Sequence, residues 1–423
     1  MVKRLVAVGL ACLVAVGAMG AAVAASGSAL DAAAGARVAY PTSGEVSSFA
    51  FMADSYEERR AAGTEPLPVF GSSELNPAPA GPSHPAALLT GGAYGMDVMT
   101  VGRAFCADLW QAIEVGALST KMPDEGPRKI VIFPSMQWFM CYRRPKAEFP
   151  AAFSEGAFDA FMGNDRISSA LKERVLARMA DYGVDRRSAA TPLADAVETL
   201  DRAAAGAMGD VRLGLDLALE GAGEAPEASS ATPDAPDSPA STPADAGTRD
   251  GAQTTAVSAA ASPDWQAIFA AANARAREAA AGNDLGLNSD WYTKSCASWL
   301  AGAQRSWKVA GDAYFSEQEF EDFETLLQVC QEAGVEPLVV IQPVKGALYD
   351  QTIYNRGVRA RYYDIIRGAC AQAGVAVADF SSHEYDPYFL RDYSHPSDLG
   401  GAYYSQAIYT LYQAGEPVTS YPR

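Results

Sequence analysis

Ser316–Ile341 reads SEQEFEDFETLLQVCQEAGVEPLVVI, and its two halves have different periods. Phe320, Phe323, Leu326 and Leu327 recur at helical spacing up to Gly334, and Glu336 to Ile341 then runs as a short apolar strand. The same unit returns at Tyr362, Ile365, Ile366 and Cys370, which lead to Gly374 and a strand over Val375 to Phe380. A helix that ends in glycine and feeds a strand at once is the rhythm of an α/β parallel sheet with helices on both faces. Pro68 to Phe70 and Lys129 to Phe133 supply two earlier buried strands. Residues 150–220 and 264–310 read as additional, partly Ala-rich helices.

The N-terminus has another character. Lys3 and Arg4 precede Leu5 to Ala25, a run of 21 residues with no charge and no proline. As a helix it rises about 30 Å, enough to cross a bilayer core. The preceding basic pair orients it N-in, which puts the rest of the chain outside the cytoplasm. A retained single-pass anchor over residues 1–27 is the favoured reading. A signal peptide cleaved near Ala22-Val23-Ala24 is the alternative, and both give an extracytoplasmic body. Residues 222–263 form a second break, with six prolines among Ala, Ser, Thr and Asp, and Val257 as the sole large aliphatic. Such a composition buries too little to offset its ordering entropy, so disorder is expected. It reads as an insertion between two parts of one domain, 28–221 and 264–423.

Charge and rare residues narrow the chemistry. The 423 residues carry 33 Lys and Arg against 51 Asp and Glu, a formal charge of -18. Sequence-wide electrostatic attraction to nucleic acid is thereby excluded. Of six cysteines, five follow Cys12, and none forms a CxxC pair, which argues against structural zinc. Cys330 and Cys370 end neighbouring helical patterns and could form a bridge; buried free thiols are the alternative. There are three histidines, His84, His383 and His395, without HxH or HExxH spacing, so no metal is expected. No cofactor is expected either.

In an open α/β sheet, functional groups collect past the carboxyl ends of the strands. The first strand ends in Phe70-Gly71-Ser72-Ser73-Glu74-Leu75, and the last is followed by Arg391-Asp392-Tyr393-Ser394-His395-Pro396. Asp392 and His395, three apart, point the same way on one turn. A carboxylate that accepts the imidazole Nδ1–H frees Nε2 to take a proton from a serine. A serine after the first strand and a DxxH after the last is the chain order of SGNH-type esterases. Gly102, after the second strand region, and Gln137, after the Lys129 strand, are candidate oxyanion donors beside the nucleophile's own amide. No serine sits in a GxSxG elbow. His84 and His383 show no partnered acid at fixed spacing and are read as structural.

These motifs together resemble the DltD family, membrane-anchored extracytoplasmic proteins of teichoic acid D-alanylation. The resemblance runs from the N-terminal anchor to about Tyr412. It rests on Phe70 to Leu75 with His84-Pro85, Gln137-Trp138-Phe139, Ser316 to Phe323, Pro343-Val344-Lys345-Gly346, Asp379-Phe380-Ser381, Glu384 to Phe389 and Asp392 to His395. It implies an SGNH-hydrolase-like, flavodoxin-like fold, with Ser73 as nucleophile, His395 as general base and Asp392 as its orienter. Ser72 is the alternative nucleophile. It also implies an MBOAT-type membrane acyltransferase and a D-alanyl carrier protein as partners, and lipoteichoic or teichoic acid as acceptor. The chain departs from the family where Pro396 to Gly401 replaces a Gly-Trp-Lys-Gly-Trp-like run. The long acidic insertion is also foreign to shorter members.

The expected chemistry is acyl-ester transfer through an acyl-serine. An O-acetyl esterase or transferase acting on an envelope polysaccharide would use the same residues. A non-catalytic envelope scaffold is the reading from another class. The net charge opposes a polyanionic acceptor unless a local basic patch, for which Arg143, Arg144 and Lys146 are candidates, offsets it.

Overall fold

The computed structural model describes residues 40–186, 262–413 and 415, apart from 42, 78, 105, 127, 141–147 and 310–312. The Leu5 to Ala25 segment, Cys141, the basic trio Arg143, Arg144 and Lys146, and nearly all of the 222–263 insertion lie outside these residues. No helix among the described residues is long and apolar enough to cross a membrane.

Five parallel strands form one sheet: β1 (Pro66–Phe70), β2 (Asp97–Val101), β3 (Lys129–Ile132), β4 (Glu336–Ile341) and β5 (Ala376–Asp379). Their order is β2-β1-β3-β4-β5, one of the two common doubly wound orders, with its switch point between β1 and β3. β3 pairs with β4 from Lys129↔Glu336 to Ile132↔Val339, so the two described segments build a single sheet.

Nine helices of nine residues or more are found among the described residues: α1 (Phe49–Ala61), α2 (Asp108–Leu118), α3 (Glu155–Gly163), α4 (Ser169–Asp181), α5 (Trp265–Ala279), α6 (Ala297–Ser306), α7 (Glu317–Ala333), α8 (Arg356–Ala373) and α9 (Asp398–Tyr412). Ser316 caps α7 by accepting from the Glu319 N–H, and Gly334 ends it at φ 66°. Asn355 and Gly374 do the same for α8. The chain can then turn directly into β4 and β5, as the sequence pattern predicts.

Alternation along the strands divides the core. Phe70, Ile130, Ile132, Val339 and Ile341 pack with α1, α2, α7 and α8. Val69, Val131, Leu338 and Val340 pack on the opposite face with Tyr404, Ala407 and Ile408 of α9. Each such side chain contributes roughly 1.5–3 kcal/mol through burial. α5 lies against α9 as an outer cover.

The four apolar runs omit one strand. β2 opens with Asp97, which is buried at 1% exposure and therefore breaks the apolar pattern. Its carboxylate is fully used: Arg59 Nη1 donates at 2.9 Å, Thr64 Oγ1 at 2.8 Å and the Gly91 N–H at 2.8 Å. The suggested bridge is also corrected. Cys330 and Cys370 lie on the packed helices α7 and α8, yet both are buried free thiols, as are Cys106 and Cys296.

Candidate active site

The loop after β1 turns at Gly71 and enters a single 3₁₀ turn over Ser73–Leu75. Ser72 is buried at 3% exposure, whereas Ser73 at the start of the turn is partly open. The packing around them is tight. Gly102 follows β2 at φ +118°, and a Cβ there would come within 2.3 Å of the Gly71 carbonyl oxygen. A Cβ on Gly71 would in turn meet Glu74 Oε1 at 2.6 Å. Glycine at both positions lets the first two strand ends close on one another.

After β5 the chain forms a compact loop. Leu390 and Pro396 make an isolated antiparallel bridge, and the Arg391 N–H donates to the His395 carbonyl at 3.0 Å. Ser397 then caps α9 by accepting from Leu399 and Gly400 N–H groups. At the loop's tip, Asp392 accepts from the Ser394 and His395 backbone N–H groups, each at 2.9 Å. Both of its oxygens lie 2.9 Å from His395 Nδ1.

Ser73 Oγ lies 2.8 Å from His395 Nε2. Three side chains from the two ends of the described sequence are thus linked in a line. Burial would raise the Asp392 pKa, but the His395 ring, Arg391 and the Ser394 N–H together bring it below its ordinary value. An ionised carboxylate has no proton to donate, so Nδ1 carries the proton and Nε2 presents a lone pair to the Ser73 hydroxyl. Such a line can remove a proton from the serine as its oxygen attacks.

Gln137 sits in the single turn Met136–Phe139 after β3. Its Nε2 donates to Ser394 Oγ at 2.7 Å, within the loop that carries His395. Gly102 and Gln137 therefore flank the β1 loop from the adjacent strands β2 and β3. Of the two candidate serines, Ser73 is the one whose hydroxyl lies at His395, while Ser72 is buried and its backbone N–H donates to Glu74 Oε1 at 2.5 Å.

Glu74 stands directly behind the serine pair and was not singled out as a site residue in the sequence. Burial pushes its carboxyl up to about 7, against the lowering effects of the Ser72 N–H and His395. His84 Nε2 donates to the Glu74 carbonyl at 2.9 Å, and its Nδ1 accepts from the Ala86 N–H at 3.2 Å. Burial lowers its pKa to about 4, so it is a neutral structural histidine.

His383 corrects one expectation. It does have a partnered acid, because its Nδ1 lies 2.7 Å from Asp386 Oδ2, three residues on. The ring is nevertheless buried and stacks on Phe389 at 4.5 Å, away from Ser73. The neighbouring Glu384 faces elsewhere and pairs with Arg359. Lys345, after β4, is a further buried residue of the same strand edge. Its backbone N–H donates to the Tyr393 carbonyl at 2.9 Å and its Nζ to the Asp386 carbonyl at 3.0 Å. Burial lowers its amine to about 8. Its position in Pro343-Val344-Lys345-Gly346, just past a strand, was the available signal.

Comparison with known proteins follows the same stretch of chain. The family model described as "DltD protein" matches residues 44–413. The chain is 39% identical over 113 residues to "Protein DltD" of Bacillus subtilis (strain 168), covering 27% of this chain and 29% of that protein. The alignment thus spans less than a third of the Bacillus relative. Against "Protein DltD" of Staphylococcus aureus (strain NCTC 8325 / PS 47) it is 22% identical over 356 residues, 83% of this chain and 81% of that one.

Proposed function

From the premise that this chain belongs to the DltD family, we propose that it is an envelope serine acyl-ester enzyme that takes part in D-alanylation of teichoic acid. The single observation that carries the serine mechanism is the 2.8 Å approach of Ser73 Oγ to His395 Nε2. The β2-β1-β3-β4-β5 order supports an SGNH-like arrangement, in which the serine follows the first strand and the acid and base share the last loop.

In the proposed reaction, Ser73 Oγ attacks the carbonyl carbon of an activated D-alanyl ester while His395 Nε2 takes the hydroxyl proton. Asp392 holds the imidazole and stabilises the imidazolium that forms. The tetrahedral oxyanion is held by the Ser73 region's backbone amides, by the Gly102 backbone and by the Gln137 side chain. As the carbonyl re-forms, the bond to the donor breaks, and the donor leaves with the proton from His395. A hydroxyl of the acceptor then repeats the sequence in reverse: it gives its proton to His395, bonds to the acyl carbon and releases Ser73.

The Leu5 to Ala25 segment would tether this domain to the outer face of the membrane. There it would work beside an MBOAT-type acyltransferase, with alanyl groups supplied through a carrier protein. The test is to trap the acyl-enzyme and identify its adduct by mass spectrometry. An alanyl group on the peptide containing Ser73 is expected. An acetyl group there, or an alanyl group on another residue, would overturn the reading.

A further inference from the structure

The loop that carries Asp392 and His395 is held from outside at two points. The Lys345 N–H donates to the Tyr393 carbonyl at 2.9 Å, and the Asn288 N–H donates to the Arg391 carbonyl at 2.8 Å. The Tyr393 ring also stacks on Trp299, with centroids 4.6 Å apart. Inside the loop, the Ser394 N–H donates at 2.9 Å to Asp392 Oδ1, an oxygen of the carboxylate that holds the His395 ring. The Ser394 backbone is therefore fixed relative to the imidazole, and its side chain leaves the loop from a fixed point.

That side chain reaches across to the turn after β3. Ser394 Oγ accepts from Gln137 Nε2 at 2.7 Å. Gln137 belongs to the single turn Met136–Phe139, where Met136, Trp138 and Phe139 are buried and Gln137 is half-buried. Its neighbours anchor the turn, but they leave the glutamine amide at the end of three side-chain torsions. Without a partner such an amide samples several rotamers, whereas an oxyanion donor works by being aimed in advance. The bond to Ser394 removes that freedom. It uses one of the two hydrogens on Nε2 and leaves the second for another acceptor.

We propose that Ser394 is a positioning residue for the reaction, holding the Gln137 amide so that its second N–H meets the developing oxyanion. This inference deepens the acyl-ester reading above and rests on it. Ser394 touches neither the substrate nor the transferred proton; it acts through Gln137. Because Asp392 binds both the His395 ring and the Ser394 N–H, one carboxylate sets the proton acceptor and, through Ser394, an oxyanion donor. The group that takes the Ser73 proton and a group that steadies the resulting charge are thereby kept in register.

The test is a double-variant cycle on turnover of a chromogenic acetate ester by the full chain. Gln137→Ala should lower kcat by about 10²-fold, the order expected for a lost oxyanion donor. Ser394→Ala should lower kcat by about tenfold with KM unchanged, because the interaction it organises is made in the transition state. In the Gln137→Ala background the same substitution should cost less than about twofold. Ser394→Thr, which keeps the hydroxyl, should recover most of the loss. An undiminished kcat in Ser394→Ala overturns the proposal. So does a loss that persists in full without Gln137, which is what damage to the loop alone would give. If Ser394→Ala does not fold, equal turnover by Ser394→Thr and Ser394→Val overturns it. Ser73→Ala separates the two readings. An inactive Ser73→Ala beside an unaffected Ser394→Ala sinks this inference alone; full activity in Ser73→Ala sinks the serine mechanism and this inference with it.

Discussion

Ser73 Oγ and His395 Nε2 lie 2.8 Å apart although 322 residues separate them in the chain. The sheet makes this possible. β1 delivers Ser73 at its carboxyl end, and the bridge between Leu390 and Pro396 folds the last loop so that Asp392 and His395 return over the same edge. The first expectation follows from their acting as a unit. Ser73→Ala and His395→Ala should each lower kcat for ester hydrolysis by at least about 10³-fold, and the double variant should be scarcely worse. Turnover of a chromogenic acetate ester measures this; fully additive losses would argue against a shared proton relay.

Gly102→Ala tests the join between the first two strand ends. The new methyl would meet the Gly71 carbonyl at 2.3 Å at a backbone φ of +118°. A stability loss of roughly 2 kcal/mol or more is expected, together with lost ester hydrolysis. Denaturant melting reads the first effect; a wild-type midpoint would contradict the geometry.

Stability should decline as pH rises from about 4.5 to about 8 through a buried acid. Burial pushes the Glu114 carboxyl up to about 8 from 4.5, and one of its oxygens has no hydrogen-bond partner. Between those values the unfolded chain releases a proton that the folded chain retains. The contribution is therefore present below about pH 4.5 and is lost as pH rises to about 8, on the order of 5 kcal/mol in all. Glu114→Gln should flatten that part of the Tm–pH curve. An identical slope in the variant would refute the assignment.

His84 acts in the opposite direction. Its folded pKa, about 4, lies below the ordinary 6.5 because burial disfavours the charged ring. Its contribution is full above about pH 6.5 and is lost as pH falls toward 4. His84→Asn, which keeps an acceptor for the helix cap over Ala86, should weaken the fall in Tm on the acid side. The comparison is made from pH 4 to 7.

The thiols should be inert in the native state. Cys106 and Cys370 are buried and their pKa values are pushed up to about 12; burial raises Cys296 and Cys330 as well. Iodoacetamide followed by peptide mass spectrometry should leave all four unmodified until denaturant is added. Reducing agent should not shift the melting of these described parts through any bond between Cys330 and Cys370. Prompt native labelling of either would show that α7 and α8 pack less closely than described.

Much of this architecture is written locally. Helix periodicity, a serine or asparagine cap, a terminal glycine and an apolar run are all short-range signals, so α7–β4 and α8–β5 were legible from residues 316–341 and 355–380. The Asp392–His395 pair was legible for the same reason, because three residues on one turn face one way. β2 was not, because a buried ion pair with Arg59, 38 residues away, hides it behind a charged first residue. The His383–Asp386 pair has the same spacing as Asp392–His395, in reverse order, and spacing alone could not tell them apart.

By itself, then, the sequence determined the α/β class, the scarcity of histidines, and a serine and a DxxH at opposite ends of the sheet. Only the tertiary structure decided which serine meets which histidine, and that Ser72 and His383 are buried in other contacts. The physical reason is the range of the interactions. Caps, turns and periodicity act over a few residues, whereas hydrogen bonds and burial depend on groups that the chain brings together from hundreds of residues apart.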